Sequence, residues 1–169
     1  MYKAKELKEA LSQHPYEDIV NLLVKAYRLS PDVQREVDHF LQGENYTDDK
    51  LNVLIAYINN LPQHSAGTFK SLISEYMKVE KDKKKRIDLI FHFVEAALVA
   101  YGKGQCDHRM IMYASSIYGK AVKMMNQKLW NWYLEQAYSI AGAFYETGLE
   151  AGVQAVLYYR EVKGKFDKE

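Results

Sequence analysis

A single cysteine, Cys106, occurs in 169 residues, so the chain can form no internal disulfide and cannot build a cysteine-rich metal site. With the charged start Met-Tyr-Lys-Ala-Lys-Glu in place of an apolar leader, this points to a reducing, cytoplasmic setting. Long apolar runs are also missing. The most hydrophobic stretch, residues 87–101, is interrupted by Asp88, His92 and Glu95 and falls short of the ~20 apolar residues that span a bilayer, which argues against a membrane partner. No charge sign dominates: 23 Lys/Arg face 22 Asp/Glu, with 14 and 13 in residues 1–86 and 9 and 9 in the rest. A global field that would draw the chain onto nucleic acid is therefore absent. Runs alternating polar and β-branched residues are absent as well, which leaves no sheet to predict.

Only three prolines occur, and each punctuates a helix pattern. Ser30-Pro31-Asp32 has a capping hydroxyl followed by a proline at the first helical position, where its missing N–H costs nothing. Pro15-Tyr16-Glu17-Asp18 opens another helix with acids at the positive end of the dipole. Ile19, Leu22, Leu23, Ala26 and Tyr27 follow helical spacing and predict a stripe facing a core, continued after the turn by Val33, Val37, Phe40 and Leu41. Gly43 with Asn45 predicts a left-handed stop, and Thr47-Asp48-Asp49 the start of a helix that ends before Pro62. Asn45-Tyr46-Thr47 also fits a glycosylation sequon, read here as that helix start.

Phe69, Leu72, Ile73, Tyr76 and Met77 give the next stripe, before the charged run Lys81 to Arg86. Residues 87–101 are apolar on more than one face, which predicts a central helix contacted from two sides. Longer helices are expected over residues 107–126 and 128–147, and a last one over 150–163. Ala114, Ser115, Gly119 and Ala121 in one long helix, with Ala137, Ala141, Gly142 and Ala143 in the other, predict seams where backbones approach closely. The expected fold is all-α: eight or nine helices in antiparallel pairs, an orthogonal bundle or short α-α superhelix. It is read as one domain over 1–169, with 1–80 and 81–169 as a possible subdivision.

Chemistry-bearing residues are few. Cys106-Asp107-His108 follows a glycine-rich turn at a predicted helix start, where the dipole can lower a thiol pKa. The remaining histidines are scattered singly, so neither a metal site nor a cofactor is expected. His92 and Glu95 lie one turn apart and, with Cys106 and His108, could furnish a polar pocket between the sixth to eighth helices. That is the alternative reading, a small-molecule binder or enzyme; no complete catalytic set is visible. Lys81 to Arg86 is the one place with an electrostatic reason to dock an anion such as nucleic acid, against the simpler reading of a solvated turn.

The 14 tyrosines are the main compositional oddity. Tyr and Trp give large amphipathic contact area at low entropic cost. Tyr113, Trp132, Tyr138 and Tyr145 are therefore the candidate partner-binding residues of a non-enzymatic interaction or scaffold module. Its partner is expected to be a protein, either a peptide or another copy, rather than nucleic acid. Met110, Met112, Met124 and Met125 read as adaptable packing.

Residues 7–40, through Glu17-Asp18-Ile19, Leu22-Leu23, Tyr27 and Ser30-Pro31-Asp32-Val33, resemble the N-terminal region of a family of small all-helical bacterial proteins of unknown function. Phe93-Val94-Glu95 and Tyr101-Gly102 look like a second matching segment. The resemblance implies an all-helical cytoplasmic bacterial protein and carries over no catalytic residue. Residues 140–162, through Ile140, Ala143, Phe144, Tyr145, Gly148, Ala155, Tyr158 and Tyr159, resemble one tetratricopeptide-type hairpin. Leu7, Leu11, Leu22 and Leu23 are faintly similar to a helix-extended-helix DNA-binding module, without its glycine-containing linker.

Overall fold

The computed structural model describes residues 3–167, and among these every regular element is helical, in agreement with the spacing. The helices are α1 (Ala4–Leu11), α2 (Tyr16–Leu29), α3 (Pro31–Gln42), α4 (Glu44–Asn59), α5 (Ala66–Val79), α6 (Lys83–Gly102), α7 (His108–Met124), α8 (Gln127–Glu146) and α9 (Glu150–Phe166), with a 3-10 turn at Leu61–Gln63. The chain divides into two compact units, Met1–Thr47 and Asp48–Glu169, and the division falls inside α4.

Polar side chains set most of the helix starts. Ser30, Ser65, Asp82, Asp107 and Asn126 each accept a backbone N–H from the first turn of α3, α5, α6, α7 and α8, satisfying donors that have no partner within the helix. Two starts differ from expectation. Gly43 takes a positive φ of 60°, which favours glycine, and α4 begins at once with Glu44. The stop therefore needs the glycine alone, and Asn45 and Thr47 lie within the helix. Likewise Lys83 to Arg86 is the first turn of α6. Basic side chains oppose the dipole there, and the Asp82 cap offsets them.

Glu80 explains how that junction holds. Its buried carboxylate accepts the Asp82 N–H at 2.7 Å and the Tyr76 hydroxyl at 3.3 Å, with Lys85 4.0 Å away. The Arg86 guanidinium donates to the Glu80 and Met77 carbonyls, both at 2.6 Å, so a cation closes the negative end of α5. The run read as a possible anion-docking patch is therefore largely engaged within the chain. Lys84 lies over the Trp132 ring, 5.1 Å from its centroid, and 3.9 Å from Asp88.

In the C-terminal unit α6 is buried on two sides, as its sequence predicts. Phe91 packs against Tyr118 and Tyr133, while Phe93 meets Phe69 and Tyr113. Around it α7, α8 and α9 close the core, joined by Tyr118 donating to the Ala137 carbonyl at 2.7 Å and Ser115 to the Ala151 carbonyl at 2.8 Å. Ala114, Ser115, Gly119 and Ala121 of α7 are buried in a seam.

The expectation for α8 is only partly met, because Gly142 is exposed and its missing side chain faces open space. The close approach in the α8–α9 hairpin falls at Gly152, where a Cβ would lie 2.4 Å from the Phe144 carbonyl oxygen. The two glycines should thus respond oppositely to the same substitution. Gly152→Ala should lower stability by about 1–3 kcal/mol through overpacking. Gly142→Ala should raise it by up to about 1 kcal/mol through helix propensity. Urea midpoints of the two variants check both signs.

Candidate functional site

In the N-terminal unit, α2 places Tyr16, Val20, Leu23, Val24 and Tyr27 on one stripe, and α3 places Val33, Val37, Phe40 and Leu41 on another. The Ser30-Pro31 turn folds the helices into a hairpin, and Tyr27 donates to Asp38 Oδ1 at 2.9 Å across it. That hydrogen bond, with the Asp38 charge behind it, pushes the Tyr27 phenol above its usual range. Between the stripes runs an apolar groove of about 710 Å³.

No residue of α1, α2 or α3 is buried. Tyr16 is 82% exposed, Phe40 84% and Leu41 73%. The expected core-facing stripe is corrected accordingly: Ile19, Ala26 and Tyr27 are half-buried, while Leu22 and Leu23 lie open. Three short helices have too few layers to cover both sides of such a stripe.

Of the predicted partner-binding residues, Trp132, Tyr138 and Tyr145 are 70, 67 and 66% exposed on α8. They do not form one groove. Tyr138 and Tyr145 are seven positions apart, which puts them on one face, whereas the six-position step from Trp132 to Tyr138 turns the tryptophan roughly 120° away. Trp132 lies beneath Lys84 and Tyr138 packs on Tyr159. Tyr113 is placed elsewhere, in a groove of about 570 Å³ between α5 and α7, over Ile73, Ile90 and Ile117 and beside Lys70 and Lys120. Burial pushes its phenol up to about 12.

The four polar candidates do not converge. His92 is exposed and lines a small apolar pocket with Leu51, Ile55 and Tyr76. Cys106 is half-buried near the start of α7 and lines a different pocket with His64 and Arg109. These pockets share no residue. Glu95 is exposed and accepts from Gln136 at 2.8 Å, and His108 is the exposed first residue of α7. Among the described residues no three His, Cys, Asp or Glu side chains are grouped as a metal would require, and no helix is long and apolar enough to cross a membrane.

The α2–α3 groove is the surface that sequence reasoning missed. In sequence a periodic stripe looks the same whether or not anything covers it.

The Cys106 expectation also reverses. Burial raises the thiol pKa, and the neighbouring Asp107 charge raises it further, so the dipole does not prevail. Its Sγ donates toward the Ala97 carbonyl at 3.6 Å. Alkylation by iodoacetamide at about pH 8 should be several-fold slower for the folded chain than for the same chain in urea. A folded-state rate matching the unfolded one would contradict this placement.

No family model, no curated protein and no solved structure matches the chain.

Proposed function

We propose that this chain is a non-catalytic protein-interaction module, working in a reducing compartment, that docks a protein partner through the α2–α3 groove. One observation carries the reading: α1 to α3 bury none of their residues, yet the groove brings together Tyr16, Leu23, Phe40 and Leu41. An exposed apolar patch of that kind on a folded chain marks a surface that associates. Two aromatic anchors, Tyr16 and Phe40, match the aromatic enrichment of interface cores, and a groove between two helices suits a helical occupant. The C-terminal unit, whose core is closed, serves as the scaffold. The scattering of His92, Glu95, Cys106 and His108 gives the enzyme alternative no assembled centre to rest on.

Site-specific photo-crosslinking tests the reading. A benzophenone side chain placed at Phe40 or Tyr16 in the full chain should capture a protein in cells, identified by mass spectrometry. The same group at the exposed Tyr145 should capture none. Adducts at Tyr145 alone would move docking to α8, and none at all three positions would overturn the proposal.

A further inference from the structure

Resting on that reading, we infer that the occupant of the α2–α3 groove is a second copy of this chain, seated with its α2 antiparallel to the first. The area of the face is the first reason. An exposed aromatic side chain offers roughly 150–250 Å², so Tyr16, Leu23, Val24, Phe40 and Leu41 together leave on the order of 600 Å² of apolar surface. Four half-buried groove residues, Val20, Tyr27, Val33 and Val37, extend it. That approaches the ~800 Å² each partner contributes to a stable interface. It also reaches the upper end of the ~300–600 Å² patch found on ordinary monomers.

Charge placement supplies the second reason and fixes the direction. Tyr16 and Tyr27 are eleven residues apart on α2, three helical turns, and both line the groove. Glu17 and Arg28 have the same spacing, so they share one edge of that stripe at opposite ends of the helix. No described residue forms an ion pair with either. In an antiparallel α2–α2′ pair, related by a two-fold axis, Glu17 of each copy lies along the edge occupied by Arg28 of the other. The contact forms twice, and the helix dipoles oppose. A parallel pair would hold like ends at one level on opposite edges, so that neither Glu17 would meet an Arg28.

The surroundings disfavour an anionic membrane as occupant. Residues 1–47 carry 8 Asp/Glu against 6 Lys/Arg, and Asp32 and Glu36 line the groove itself. Two hairpins joined in this way give a four-helix bundle, the smallest arrangement that covers both pairs of stripes.

Sedimentation of the full chain from about 1 to about 200 µM tests this, a range that spans ordinary dimer affinities. The wild type should move from 19.6 kDa toward twice that mass. Phe40→Asp should remain a monomer with an unchanged far-ultraviolet spectrum. Glu17→Arg and Arg28→Glu should each weaken association by about tenfold at low salt, and the double variant should restore it to within a few-fold of wild type. A wild-type chain that stays at 19.6 kDa throughout overturns the inference. The docking reading then survives only if the photo-crosslinks at Phe40 carry a different protein. A dimer indifferent to Phe40→Asp, or one that both charge reversals leave unchanged, overturns it as well.

Discussion

An amphipathic helix in water must cover its apolar stripe, and the two units of this chain meet that demand to opposite degrees. In the C-terminal unit α6 is enclosed on two sides, by Phe91 against Tyr118 and Tyr133 and by Phe93 against Phe69 and Tyr113. In the N-terminal unit α2 and α3 have stripes of the same period, held together by the Tyr27–Asp38 bond, and fully bury no residue. Each apolar side chain left in water forgoes roughly 1.5–3 kcal/mol of burial free energy. A hairpin with several such side chains is poised to associate, and that imbalance is what the functional reading rests on.

The helices themselves were largely legible in the sequence. Periodicity marked each stripe, and Ser30-Pro31 and Asp107 announced two of the starts that the structure caps. The two-sided apolarity of residues 87–101 likewise identified α6 as central. These features are local, and local chemistry decides them. The misplaced starts of α4 and α6 have local causes too: Gly43 alone makes the stop, and Asp82 caps a basic turn that looked like a solvated link.

What was not legible is what faces what. A stripe records that a helix has an apolar side and carries no information about whether a neighbour covers it, so Leu23 and Phe40 read like Ile90 and Phe93. Gly142 and Gly152 are indistinguishable as letters, but only Gly152 lies against a backbone carbonyl. Cys106 stands at a helix start, which favours thiolate, and burial beside Asp107 outweighs that. The charged run resolved differently again: Arg86 closes the end of α5 and Lys84 covers Trp132, contacts that depend on how the helices pack.

Because the N-terminal hairpin lacks a covering layer of its own, the protection of its backbone amides should depend on how crowded the solution is. Hydrogen–deuterium exchange, read segment by segment at about 1 µM and at about 100 µM, tests this most directly. Amides of α2 and α3 should exchange markedly more slowly at the higher concentration, while those of α6 and α7 stay equally protected at both. Protection of α2 and α3 that is already as strong as that of α6 at the lower concentration, and unchanged at the higher, would contradict the claim that this face waits for another molecule.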